Sequence, residues 1–204
     1  RLWRAFVATA VFFLIVLAPS EFIFPAEKEM LDTVLAVKKL TPIQMLEQAK
    51  PRFTEDSYQG TLSTTAALQM LRISADKGHV PAESFLGYIY GWGLVVTKNE
   101  KVSSYWIERA ANHGDIWSTD MLGNMKYKGW GGYSKNEAEA VAHWRTAAEL
   151  GSPSAQTSLG WSYMIGIGGT PIDFQKAASW NEKGANGGNA EGFNNLGWLY
   201  ENGQ

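Results

Sequence analysis

The sequence predicts an all-α protein: a solenoid of stacked helix–turn–helix repeats, with an apolar signal or anchor helix ahead of it. Three periodic features predict it. Leu-Gly pairs stand at Leu86-Gly87, Leu122-Gly123, Leu159-Gly160 and Leu196-Gly197, at successive offsets of 36, 37 and 37 residues. Two small residues with a Gly three positions on recur at Ser74-Ala75-Gly78, Ala110-Ala111-Gly114, Ala147-Ala148-Gly151 and Gly184-Ala185-Gly188, with the same offsets. A further Gly follows each Leu by seven positions, at Gly93, Gly129, Gly166 and Gly203. Patterns that drift together by the same insertion mark a pile of identical supersecondary units, each burying its apolar face against the next.

The elements follow in chain order. Arg1 and Arg4 precede the apolar run Ala5 to Ala18, which as a helix spans ~21 Å, short of the ~30 Å hydrocarbon layer. That length suits a secretory signal peptide, with Ala18-Pro19-Ser20 as a small-x-small cleavage candidate. Phe22-Ile23-Phe24 keeps an uncleaved anchor open, with Glu21 at the outer interface. Both readings export the rest of the chain, because the arginines stay cytoplasmic; the third reading, a buried core helix, does not. The first two place it in the periplasm, or in the inner membrane facing the periplasm, if the source is bacterial. Residues 1–24 form this segment and the membrane is touched only through it, if it is uncleaved. Residues 25–63 form N-terminal helices and a loop, a degenerate leading repeat. Residues 64–204 form the array, with units at about 79–115, 116–151, 152–188 and a partial 189–204. The chain opens without Met and stops inside a repeat, as a fragment does.

Ala26 to Leu40 reads as a helix. Thr41-Pro42-Ile43-Gln44 opens another, with Thr41 as N-cap, Pro42 in the first turn and Gln44 closing a capping box. "PRFTEDSYQG" is a loop, and Thr64 to Lys77 is the second helix of the leading unit. In each full unit, the first helix carries Ala82, Leu86, Gly87 and Tyr90, or Ala155, Leu159, Gly160 and Tyr163, on one face. The helical Gly costs about 1 kcal/mol relative to Ala, so it implies a closely approaching neighbour. The second helices run over about 99–112, 136–150 and 173–186. Asn99, Asn136 and Asp173 are N-caps, Glu139 completes a capping box, and Trp106, Trp144 and Trp180 share the face of the small pair.

The pattern "A-x-x-x-L-G-x-x-Y-x-x-G", followed by "K/E-A-x-x-W-x-x-x-A-A-x-x-G", resembles the Sel-1-like repeat, a relative of the tetratricopeptide repeat. "AESFLGYIYGWG", "AQTSLGWSYMIGIGG", "YWIERAANHG" and "HWRTAAELG" carry the resemblance, which covers about residues 64–204. Lys126, Ser118 and Gly184 depart from the pattern, replacing a Tyr and two Ala. The resemblance implies a right-handed α/α superhelix and an adaptor role in envelope assemblies, signalling or host contact. It also implies a rival, a hydrolase of β-lactams or peptidoglycan, as proposed for cysteine-rich relatives; this chain has no cysteine.

A search for chemistry returns packing. The formal charge of −2 gives no electrostatic reason for nucleic acid. The absence of Cys excludes disulfides, thiolate nucleophiles and cysteine zinc sites. Gly91-Trp92-Gly93 follows a helix rather than a strand, so it reads as a helix stop and not a phosphate loop. Ser74-Ala75-Asp76-Lys77 spells the nucleophile motif of penicillin-interacting enzymes, but Ser74 occupies the slot of Ala110, Ala147 and Gly184. His79, His113 and His143 fall at three different repeat positions, so no metal site is expected, and no cofactor either. The carboxylate pairs Glu27/Glu29 and Glu137/Glu139 sit near helix N-termini, where the dipole and solvent favour them. No catalytic residue is assigned and the chain is expected not to be an enzyme.

What remains is the variable face of the first helices. Two positions after each Leu stand Tyr88, Asn124, Trp161 and Trp198. Two positions before stand Ser84, Asp120, Thr157 and Asn194. Both sets point away from the Leu face and toward the concave surface of a stack, the expected seat of a protein or peptide partner. The alternative for Trp161 and Trp198 is packing against neighbouring units.

Overall fold

The computed structural model describes residues 40–54, 62–94 and 96–203. The apolar stretch Ala5 to Ala18, its cleavage candidate, Glu27 and Glu29, and the helix expected over 26–40 lie outside the described residues. The chain divides into two compact units, Arg1–Met70 and Leu71–Gln204.

In the first unit, α1 (Pro42–Ala49) is followed by α2 (Pro51–Thr54), one helical turn where the sequence reading expects a loop, with Phe53 buried. The capping box forms as expected. Gln44 N donates to Thr41 Oγ1 at 3.3 Å, and Thr41 N donates to Gln44 Oε1 at 2.9 Å. Met45, Ala49 and Phe53 are buried. Helix α3 (Thr64–Asp76) begins in this unit and ends in the second.

The second unit is a succession of antiparallel pairs. First helices are α4 (Val80–Trp92), α6 (Ile116–Lys128), α8 (Pro153–Ile165) and α10 (Ala190–Glu201). Second helices are α5 (Glu100–Asn112), α7 (Glu137–Glu149) and α9 (Phe174–Asn186). The described residues are helices and connections, with no strand among them.

Two backbone bonds recur in every turn and set the pitch of the stack. After each first helix, the N-cap of the second helix donates back to the first. Asn99 N reaches Tyr90 O at 2.9 Å, Asn136 N reaches Lys126 O at 2.8 Å, and Asp173 N reaches Tyr163 O at 2.9 Å. After each second helix, the next N-cap donates to the first member of the small pair: Asp115 N to Ala110 O, Ser152 N to Ala147 O, and Asn189 N to Gly184 O. Orphan carbonyls at helix ends are thereby satisfied by the neighbouring helix. The chain reverses where predicted, with Gly129 at φ 73° and Gly166 at φ 75°, left-handed stops that a side chain would strain.

The three second helices are capped as predicted, Asn99, Asn136 and Asp173 each accepting from a backbone N–H three residues on. One detail differs. Asn136 N is already taken by Lys126 O, so Glu139 does not close a capping box. Its carboxylate accepts instead from the Asn136 side-chain amide at 2.7 Å and pairs with Lys126 at 2.7 Å.

The Leu-Gly pair is where the two helices of a unit meet. A Cβ on Gly87 would stand 2.5 Å from Ile107 Cγ1, on Gly123 2.6 Å from Trp144 Cδ1, and on Gly160 2.7 Å from Asn181 Cγ. Real Cβ atoms do not come so close, so glycine is required there. Gly197 has nothing within 4 Å. These contacts also correct the placing of the tryptophans. Trp144 faces its glycine, but the matching slots hold Ile107 and Asn181, so Trp106 and Trp180 lie one residue earlier on their helices. Asn181 tolerates full burial because its amide donates to Ala177 O and its Oδ1 accepts from Asn195. Gly184, the departure from alanine, is explained by Thr157: a Cβ there would collide with Thr157 Oγ1 and come 2.9 Å from Pro153 O.

Candidate functional site

The groove between successive first helices is built from positions that the packing leaves open, and its chemistry changes from unit to unit. Between α4 and α6 it is aromatic. Tyr88 lies 4.7 Å from Trp92 and 6.1 Å edge-on from Trp117, centroid to centroid, and Phe85 stacks on Tyr88 at 6.3 Å. Trp92 remains 52% exposed and Trp117 36%. Beside this cluster is a largely apolar cavity of about 360 Å³ lined by Trp92, Met121, Met125 and Trp130, with Gly91, Ser103, Gly131 and the Lys98–Glu100 ion pair completing the lining. Gly91 is small because a Cβ would stand 2.8 Å from Ser103 Oγ.

One unit later the lining is polar. A cavity of about 450 Å³ takes Asn124, Tyr127 and Lys128 from α6, Thr157, Ser158 and Trp161 from α8, and Glu191, Asn194 and Asn195 from α10, with Trp144 of α7 behind them. Trp161 is half-buried and does two things. Its ring meets Tyr127 edge-on at 5.5 Å and Trp144 at 6.5 Å, and it also lines the cavity. Four of the eight residues singled out in the sequence therefore come together here: Asn124, Thr157, Trp161 and Asn194. Tyr88 belongs to the aromatic cluster instead. Trp198 is 46% exposed and tilts against Phe174 at 6.5 Å.

Two of the positions before each Leu, Ser84 and Asp120, connect units. Ser84 Oγ donates to Asp115 Oδ2 at 2.9 Å, and Asp115 is the N-cap of the next first helix. Ser152, the next such N-cap, donates to Asp120 Oδ2 at 3.4 Å. Asp120 is 6% exposed and its Oδ1 has no hydrogen-bond partner. Burial therefore pushes its carboxyl above the ordinary aspartate range, against the pull of the Ser154 and Ser152 hydroxyls. Thr157 is 2% exposed and its hydroxyl donates to Pro153 O. Of this set, Asn194 is exposed.

Sequence reasoning missed Trp92, Trp117, Tyr127, Glu191 and Asn195. Trp92 was within reach, since it stands four residues after Tyr88 on the same helix. Trp117 joins them across a turn and a whole helix, and nothing local announces that.

Elsewhere, ionisable groups serve the stack. Glu83 is fully buried, with Arg109 Nε 2.7 Å from Oε1, close enough to pair although out of line for a hydrogen bond. His113 Nδ1 lies 2.7 Å from its Oε2. Arg109 also donates to Ala75 O at 2.9 Å, so this cluster ties α5 to the end of α3 and the start of α4. Ser74 is wholly buried and its Oγ lies 3.1 Å from His79 Nδ1, which puts the hydroxyl out of a substrate's reach. Glu137 and Glu139 are held below the ordinary glutamate range, first by hydrogen bonds from Lys135 and Lys126. His143 is driven below its usual range by burial and by Lys126. Among the described residues, no three His, Asp or Glu side chains are grouped to hold a metal ion, and no helix is long and apolar enough to cross a membrane.

The family model of the Sel1 repeat matches residues 80–115, 120–152, 153–189 and 193–204. The chain belongs to the Sel1-repeat family. Sel1 arrays generally mediate protein–protein contact, and this one has that scaffold. It is 32% identical over 134 residues to the chitin synthase regulator SKT5 of Saccharomyces cerevisiae, covering 64% of this chain and 19% of that protein. It is 32% identical over 93 residues to DAP3-binding cell death enhancer 1 of Rattus norvegicus, covering 46% and 18%. The chain thus spans about a fifth of the length of these two relatives. Among solved structures it resembles c5321, a protective antigen of uropathogenic Escherichia coli with this repeat fold, at a TM-score of 0.75 and 30% identity over 85% of this chain and 36% of that one. A Sel1 repeat protein of Oxalobacter formigenes matches at a TM-score of 0.69 and 29% identity, covering 86% and 49%.

Proposed function

We propose that this chain is an exported, non-catalytic scaffold that holds a protein or peptide partner on the concave surface made by its first helices. The observation that carries the reading is the cavity of about 450 Å³ walled by three successive first helices. Such a surface exists only when the units are stacked, and it presents a tryptophan among amide and charged groups, the composition of an interface centre. Within it, Asn124, Trp161 and Asn194 face the partner; Tyr88 and Trp198 extend the surface on either side. Ser84 and Asp120 hold the stack in register, and Thr157 lines the cavity from an almost fully buried position. Arg1 and Arg4 ahead of the apolar run support export to the periplasm, or tethering at the inner membrane through residues 1–24, in a bacterial cell.

Photo-crosslinking tests the partner surface. A benzophenone side chain at Asn194 should capture a defined partner in cells, the same group at exposed Arg145 on α7 should not, and Trp161→Ala should abolish the capture. Equal capture from both positions would remove the first-helix face from consideration. Mass spectrometry of the mature N-terminus, with fractionation, reads the export proposal; an intact chain in the cytoplasm rejects it.

A further inference from the structure

Two neighbouring cavities, bridged by Lys128 over Trp130, differ in chemistry at equivalent repeat positions. Counted from each Leu, Tyr88, Trp92 and Trp117 at the first junction correspond to Asn124, Lys128 and Ser154 at the second. Met121 likewise corresponds to Ser158. The Leu-Gly pairs and the two recurring backbone bonds are shared, and these do not require the contrast. Lys128 stands where the two cavities meet. It lines the polar cavity, and its ammonium sits 4.4 Å over the ring of Trp130, which walls the apolar one. Among the described residues no carboxylate lies within ion-pair distance of Lys128, and no cation within that of Glu191 across the same cavity. Both charges are therefore available to a ligand.

We infer that the groove reads an extended peptide of a partner protein in two parts: an apolar side chain seated among Trp92, Met121 and Trp130, then an acidic residue at Lys128 and a basic one toward Glu191. This inference rests on the first-helix face being the partner surface. Neighbouring helices in a packed stack are typically ~10 Å apart, about three residues of extended chain, and we take that as the spacing of anchor and acid in the peptide. Two opposite charges beside an apolar slot favour a peptide over a neutral glycan, which would match the aromatic rings and amides but leave both charges idle.

The test is selection from a phage-displayed random peptide library, ~12 residues long so that an extended peptide crosses both cavities. The full chain should enrich an apolar residue and an acidic one about three positions apart. Lys128→Glu should exchange the acidic preference for a basic one and weaken the parent peptide about tenfold by fluorescence anisotropy. Trp92→Lys, which puts the second junction's residue into the first at an exposed position, should erase the apolar preference and leave the charged one. Identical motifs from all three proteins, or no enrichment, would overturn the inference. So would binding of a glycan array that Trp161→Ala abolishes. If no peptide is selected while crosslinking from Asn194 still captures a folded partner, the two-part reading fails and the scaffold reading stands. If both fail, the surface itself is wrong.

Discussion

The first and second junctions of the array share a frame and differ in everything the frame does not need. In both, a Leu-Gly pair meets a second helix, a small pair meets the next turn, and the same two backbone bonds close the loops. Around the first, Tyr88, Trp92 and Trp117 pack on one another with partly exposed rings. Around the second, Asn124, Lys128 and Thr157 line a cavity backed by Trp144 and Trp161. The contrast separates two jobs that one helix performs. One face must fit its neighbours to within a fraction of an ångström, and the other is free to take on whatever a ligand demands.

Substitutions in the frame and in the groove should therefore behave differently. The largest loss is expected from Trp144→Ala, since removing a buried aromatic side chain costs about 3–5 kcal/mol, seen as a lowered denaturation midpoint. Trp92→Ala, at a 52% exposed position, should cost about 1 kcal/mol, the worth of its aromatic contacts. A comparable loss from both would end the distinction between frame and groove. Gly123→Ala drives a methyl into Trp144 and should cost about 1–3 kcal/mol. The same change at Gly197, with open space around it, should stabilise by up to about 1 kcal/mol through helix propensity.

A smaller effect comes from the Ser152–Asp120 contact between repeat units. The Asp120 carboxyl is raised by burial, so between its unfolded and folded titration points the folded chain holds the proton that the unfolded chain releases. Stability then falls as pH rises through that window, and the deficit is complete above it. Asp120→Asn should raise the melting temperature at neutral pH. It should change it little at about pH 3, where both states are protonated. A melting temperature that is lowered equally at both pH values would mean that the carboxylate is needed for its serine bonds.

How much of this was legible in the sequence follows the reach of each interaction. The caps at Asn99, Asn136 and Asp173 and the stops at Gly93, Gly129 and Gly166 depend on residues within one turn, and the sequence announces them. The failed capping box at Asn136 shows the limit. Its backbone N–H was claimed by Lys126 O ten residues back, a contact that spacing does not reveal. The tryptophans show the same thing at longer range. Trp106, Trp144 and Trp180 align in sequence to within one residue, yet one residue is about 100° of helix, and only Trp144 meets its glycine. The sequence proposes one face of the first helices for the partner. Which of its residues stay open was decided by the neighbouring helices: Asp120 is covered, while Asn124, Trp161 and Asn194 share a cavity with the almost fully buried Thr157.

By itself, then, the sequence determined the unit, its period and its punctuation, because these arise from local backbone preference and from a face that every unit must bury. Only the tertiary structure decided which side chains of different units share a groove, which polar groups the stacking seals away, and where an unpaired charge remains. Those outcomes depend on helix separations and side-chain rotations between residues roughly one repeat or more apart, and no local pattern encodes them.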